Sequence, residues 1–173
     1  MTPVEQFFDG LEHTPLSLWV RGDSLLAFPL ILTVHTIGMG FLAGTSWAID
    51  MRILGLAPRV PLGVLQKFYP VIWAALAANF VSGVLLLTGY PYKAFTNPVF
   101  YVKLSLIALA VFLMLRIRRD VLQRSEREPS PKFLRHAKWL ASASLISWVG
   151  AITAGRLLAY TFKWLLVGIP GGF

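Results

Sequence analysis

Apolar positions in this chain do not alternate with polar ones; they run. Four stretches, residues 24–49, 69–90, 98–116 and 137–162, are almost unbroken in hydrophobic side chains. Each approaches the ~20 residues a helix needs to cross a hydrocarbon layer. The pattern predicts an all-α fold, an integral membrane four-helix bundle, with residues 1–173 forming a single transmembrane domain. A final apolar segment, Trp164-Leu165-Leu166-Val167-Gly168-Ile169-Pro170, is too brief to cross and is expected at an interface. At the other end, Phe7, Phe8 and Leu11 recur at helical spacing beside Glu5, Asp9 and Glu12. They predict a short amphipathic helix from Pro3 to Glu12, lying on the outer leaflet and ended by Pro15.

The polar positions between the runs orient the bundle. Arg116, Arg118, Arg119, Arg124, Arg127, Lys132, Arg135 and Lys138, half of the 16 Lys and Arg residues, lie between the third and fourth spans. Arg52, Arg59 and Lys67 follow the first span, whereas the N-terminal segment is acidic until Arg21. By the positive-inside rule both termini are expected on the outer (periplasmic) side of a bacterial inner membrane, with the basic loops in the cytoplasm. Aromatic residues near span ends, among them Trp19, Trp47, Tyr90, Tyr101 and Trp164, suit interfacial belts. The connection from Arg124 to Pro131 is polar and proline-bearing, and is expected to be mobile and without chemistry.

Composition sharpens this picture. Hydrophobic residues make up 56% of the chain and charged residues 14%, with a mean hydropathy of +0.65. A soluble domain carries about 25% charged residues, so the deficit supports a membrane protein. The net charge of +8 sits mostly in one loop, where orientation and anionic lipids explain it better than a nucleic-acid partner. There is no cysteine, which excludes disulfides, thiolate metal sites and cysteine nucleophiles. The first twenty residues have no basic start before a compact apolar core, so no cleaved leader is expected.

Against this background His35 stands out, because an ionisable side chain within hydrocarbon usually faces a partner, a cavity or a cofactor. Gly38, Met39 and Leu42 share its helical face. A glycine one turn away leaves room for a flat ligand, so His35, Gly38 and Met39 form a candidate haem b or quinone contact, with His35 as the candidate iron ligand. The competing reading is a neutral histidine hydrogen-bonded to a neighbouring span, where Asn79 and Ser147 lie at similar depth. No second histidine matches that depth. His136 sits at the far end of span four, on the order of 15–20 Å away along the membrane normal, and His13 precedes span one. A haem with two histidines from one chain is therefore not expected.

Arg156 and Lys103 fall in the outer parts of spans four and three, and with Arg21 they form a candidate anion site for haem propionates or a quinone head group. The alternatives are snorkelling to the interface, or pairing of these cations with Asp23. Asp50 and Arg52, ending the first span, are expected to pair with each other or with the basic loop. No embedded carboxylate is read, which argues against a carboxylate proton relay. The sets Gly40-x-x-x-Gly44 and Gly150-x-x-x-Ala154 read as helix packing. His35 with Met39 is too small a set for copper. Phosphate loops, catalytic triads and zinc signatures are absent, so an autonomous enzyme is not expected.

The runs Val34-His35-Thr36-Ile37-Gly38, Asp50-Met51-Arg52-Ile53-Leu54-Gly55-Leu56, Asn97-Pro98-Val99-Phe100-Tyr101-Val102-Lys103-Leu104 and Ser147-Trp148-Val149-Gly150, leading into Gly155-Arg156, occur together in that order. With His13-Thr14-Pro15-Leu16-Ser17 they resemble a family of small bacterial four-span inner-membrane proteins that has no established activity. That family is similar in outline to four-helix membrane b-type cytochromes and copper-resistance membrane proteins. The resemblance also implies a further histidine near the end of span three, where this chain has Met114, Leu115 and Arg116.

The leading expectation is a haem b- or quinone-contacting electron-transfer module that works with a partner complex. The alternatives are a non-catalytic membrane subunit or assembly factor without cofactor, and a small transporter or metal permease. Expected partners are membrane lipids and other membrane or periplasmic subunits, with a homo-oligomer as a further option.

Overall fold

The computed structural model describes residues 3–22, 26–123 and 130–167. Asp23, the stretch 124–129 of the third connection and the tail from Gly168 lie outside the described residues. In chain order the helices are α1 (Pro3–Glu12), α2 (Pro15–Arg21), α3 (Phe28–Leu54), α4 (Tyr69–Gly89), α5 (Pro91–Phe95), α6 (Pro98–Arg116) and α7 (Pro131–Val167). There is no strand among the described residues. Four helical segments, Phe28–Leu54, Leu62–Gly89, Pro98–Leu122 and Pro131–Leu158, are long and apolar enough to cross a membrane.

Proline sets where most of these helices begin. It occupies one of the first two positions of α2, α3, α4, α5 and α6, where its missing N–H is no loss and its fixed φ suits the first turn. Asn97 adds a side-chain cap to α6 by accepting from the Val99 N–H at 3.0 Å. Helix α3 starts four residues later and ends five residues later than its hydrophobic run predicts. The run stops at the charges of Asp50 and Arg52, but the helix continues to Gly55, whose φ of +114° supplies a left-handed cap. Helix α4 follows a tight turn of 3-10 helix, Leu62–Phe68. Helix α6 runs on through a wider π turn, Ile117–Leu122. Helix α7 has 37 residues, about 55 Å at 1.5 Å per residue, so it projects well past a bilayer core. Residues Trp164–Val167 continue α7 and form no separate segment.

The long helices form two hairpins. Helix α3 packs on α4, α6 packs on α7, and the hairpins meet along α3 and α7. Leu42, Ile49, Ile72, Leu113, Ile117 and Trp148 fill the centre, with Trp148 wholly buried. Phe41, Phe80, Phe112 and Ile146 point outward and are more than half exposed, as a lipid-facing surface requires. At one end α4 and α6 are latched together. The Tyr69 hydroxyl donates to the Met114 carbonyl at 3.0 Å, the Gln66 amide donates to the Leu122 carbonyl at 2.9 Å, and Arg118 lies 4.8 Å over the Tyr69 ring. Toward the other end the space between α4 and α6 opens into a cavity.

Small residues act where backbones cross. A Cβ at Gly38 would lie 3.4 Å from the Ala75 carbonyl and 3.5 Å from the Asn79 amide, so this glycine lets α3 approach α4. Gly150 faces Leu106 of α6. A Cβ at Gly40 or Gly44 would meet no other helix within 4 Å, so this pair, read as a packing site, faces outward instead.

The N-terminal helices fold over the open end. Phe8 of α1 stacks on Phe95 of α5 at 5.4 Å and meets Tyr92 edge-on at 6.3 Å, while Phe7 stays exposed. Pro15 does end α1, but it also opens α2, with Thr14 as the cap. Buried Val20 of α2 then sits so close to Gly89 that a Cβ there would be 2.9 Å from it.

Candidate functional site

His35 lies in the second turn of α3, about 10 Å along the helix from its start. Its ring is half-buried against α4, and three residues on one face of α4 hold it. Ser82 Oγ is 3.0 Å from Nδ1. Asn79 Nδ2 donates to the His35 backbone carbonyl at 2.7 Å. Gly83 makes room for the ring, since a Cβ there would lie 3.2 Å from Cε1. The expected hydrogen bond from the imidazole to Asn79 or Ser147 is thus replaced by one to Ser82. Asn79 holds the histidine through its backbone instead, and Ser147 donates to Ala143 on its own helix.

The Ser82 hydroxyl fixes the tautomer. It has one proton to give, and the Ala78 carbonyl stands 2.6 Å away to take it, with the Asn79 carbonyl at 3.2 Å. The serine oxygen then accepts from Nδ1–H, which leaves a lone pair on Nε2. A histidine anchored through Nδ1 in this way is arranged to offer Nε2 to a metal or to a proton donor.

His35 lines a cavity of about 430 Å³ between the hairpins, together with Phe28, Leu32, Gly83, Leu86, Leu87, Tyr90, Ala94, Phe100, Lys103, Gly155 and Leu158. The walls come from all four long helices and from α5. Most are apolar, and the charged member is Lys103. The lysine stem runs over Gly155, whose Cβ would lie 3.6 Å from Lys103 Cε and 3.8 Å from Nζ. Lys103 joins none of the ion pairs among the described residues. One cation and one imidazole therefore face a single apolar chamber.

The other sequence candidates fall elsewhere. Gly38 is buried against the α4 backbone and lies outside the His35 cavity, lining instead a separate apolar groove with Val34, Ile37 and Phe41. Met39 is half-buried outside the cavity lining, and Asn79, buried at the α3–α4 contact, does not line it either. Arg156 is exposed beside the cavity and does not line it. Arg21 pairs with Glu12 at 3.3 Å and also donates to the Glu12 carbonyl, so it does not join Lys103. His13 bonds the Asp9 carbonyl at 2.7 Å on α1, and His136 is exposed near the start of α7. Neither shares the chamber with His35. No group of three or more metal-ligating His, Cys, Asp or Glu residues occurs among the described residues. Sequence reading missed Ser82 and Gly83, although both stand on the Asn79 face of span two at spacings of three and four.

The pairing expected for Asp50 is also corrected. Arg52 turns away and donates to the Val60 and Pro58 carbonyls at 2.6 and 2.9 Å, closing the loop after α3. Asp50 is 1% exposed and so is an embedded carboxylate, which charge counting at the span end did not reveal. Its face of α3 turns inward onto α7.

Four apolar crossing helices, an apolar core that holds a few buried polar groups and an exposed apolar outer face define a multi-pass membrane protein. The chain belongs to the family of unknown function DUF6644, whose model matches residues 24–161. That stretch takes in all four spans and both cavity residues, His35 and Lys103. Comparison with curated proteins and with solved structures gave no match.

Proposed function

We propose that the chain is a membrane module that binds a quinol in the chamber between its hairpins and works in electron transfer with a partner complex. The observation that carries this reading is the shared cavity: His35 and Lys103, from different helices, face one apolar space of about 430 Å³. A quinol has an apolar ring with a hydroxyl at each end. One hydroxyl donates to His35 Nε2, and the other oxygen accepts from the Lys103 ammonium. The isoprenoid tail follows Leu86, Leu87 and Leu158 toward lipid. A cavity with apolar walls and a few placed polar groups is the usual form of a small-molecule site.

A second reading, haem b, rests on the same Nε2 lone pair, with Lys103 placed for a propionate. The described residues offer it one histidine ligand, so its iron would be five-coordinate unless another chain supplied the sixth group.

The test is a titration of the purified full chain in lipid nanodiscs with a short-tail benzoquinol, beside an absorption spectrum of protein from a haem-replete host. Saturable quinol binding, weakened about tenfold or more by His35→Ala and by Lys103→Ala but unchanged by Arg156→Ala, is the expected result. A tenfold loss corresponds to roughly 1.4 kcal/mol. Binding that is not saturable, or that ignores both cavity variants, would contradict the quinol reading. A Soret band lost in His35→Ala would replace it with haem.

A further inference from the structure

At the latched end of the bundle, α3 and α7 enclose a second polar group that the quinol site does not use. Asp50 is 1% exposed, its Oδ2 has no hydrogen-bond partner, and it joins no ion pair among the described residues. Three buried polar atoms on neighbouring turns of α3 and α7 are likewise unpartnered: Trp47 Nε1, Ser144 Oγ and Trp148 Nε1. Trp47 lies one turn before Asp50 on α3. The Ser144 hydroxyl faces the carboxyl from α7 without closing a bond on it. Trp148 lies one turn beyond Ser144, and because the first and fourth spans run antiparallel, both indoles sit on the same side of the Asp50–Ser144 pair.

Each unpartnered buried polar atom costs about 1–3 kcal/mol, and an isolated buried carboxylate costs considerably more. Such a group is held in a bundle interior when it is neutral, or when a small polar guest completes it. The donors and the acceptor here fit water. A water molecule accepts from the indole N–H groups and gives a proton to the carboxyl, and the Ser144 hydroxyl, both donor and acceptor, completes the set.

We propose that Asp50 is a proton-binding acid inside the bundle, seated with internal water between Trp47, Ser144 and Trp148. In the loading step a hydronium O–H bond breaks and an O–H bond forms on Asp50 Oδ2. The carboxylate becomes a carboxylic acid, and the water left behind stays on the indole N–H groups; release is the reverse. The charged and titratable groups of the packed elements leave this acid its own proton. Tyr69 of α4 is near enough to sense the Asp50 charge, but its hydroxyl is committed to the Met114 carbonyl. Arg118, beyond α6, covers the Tyr69 ring. Arg52 serves the loop carbonyls, and Arg135 and Lys138 of α7 are exposed.

The test is infrared difference spectroscopy of the full chain in lipid during a pH change, in H2O and in D2O. A protonated-carboxyl C=O band is expected that shifts down in D2O, disappears in Asp50→Asn and moves in Ser144→Ala and Trp148→Phe. Coincident spectra of the native chain and Asp50→Asn would overturn the proposal, and so would a band insensitive to D2O. If Asp50→Asn does not fold, the Ser144→Ala spectrum decides: a band that moves supports the site, and one that stays in place overturns it.

Discussion

At the residue scale the site depends on contacts that orient one imidazole. The Ser82 hydroxyl, with its proton on the Ala78 carbonyl, holds Nδ1 and leaves Nε2 its lone pair. Ser82→Ala removes that anchor, and the expected loss is about 1 kcal/mol or less, typical of hydrogen bonds between membrane helices, read as a small drop in the thermal unfolding midpoint in detergent. Quinol affinity should fall more than stability, because the ring is then free to turn. Gly83→Ala tests the same geometry from the other side. Its new Cβ would sit 3.2 Å from His35 Cε1, so the ring must move, and about a tenfold weaker binding is expected while helical content by circular dichroism is unchanged. Binding as tight as that of the native chain in Gly83→Ala would mean the ring position is immaterial. His35 itself was legible as the polar anomaly of an apolar run. Its partners were not, because a serine and a glycine within a span carry no signal until α4 is placed against α3. Asp50 was misread for a related reason: a charge near a span end looks solvated in sequence, and only the rotation of α3 turns it inward.

At the element scale the hydrophobic runs located all four crossing helices, since lipid on one side and packing on the other leave no polar face to interrupt them. The boundaries moved where capping and burial outweigh hydropathy. Helix α3 runs past Asp50 and Arg52 to the left-handed Gly55, and α7 extends at both ends beyond its apolar stretch. The short α2 was not anticipated, because Pro15 read as a stop and not as a first-turn residue capped by Thr14. Its docking rests on the contact of Val20 with Gly89. Gly89→Ala puts a Cβ 2.9 Å from Val20 Cγ1, and the overpacking should cost about 1–3 kcal/mol and loosen α2. Limited proteolysis after Arg21 checks this: faster cleavage is expected, and an unchanged rate would mean that α2 docks by other contacts. At the start of α6, Asn97 both caps the helix and donates to Thr161 Oγ1 of α7 at 3.0 Å. Asn97→Ala should therefore lower stability by about 1 kcal/mol, measured by thermal unfolding.

At the scale of the whole molecule, two hairpins are joined along α3 and α7, latched at the Asp50 end by Tyr69 and Gln66, and parted at the His35 end around a chamber. One polar cluster occupies each end of the same bundle, and the chamber is the one that opens to the surface. The four-span architecture was legible in the sequence. The chamber was not, since it arises from the angle between hairpins and draws its walls from five helices. The central claim is that this chamber holds a quinol ring between His35 and Lys103. Photolabelling the protein in nanodiscs with a benzoquinone that carries a photoreactive group, followed by peptide mapping, tests it most directly. Label concentrated on Leu86, Leu87, Phe100 and Leu158, and displaced by unlabelled quinol, is the predicted result. Label spread over lipid-facing Phe41, Phe80 and Ile146 and insensitive to competitor would contradict it.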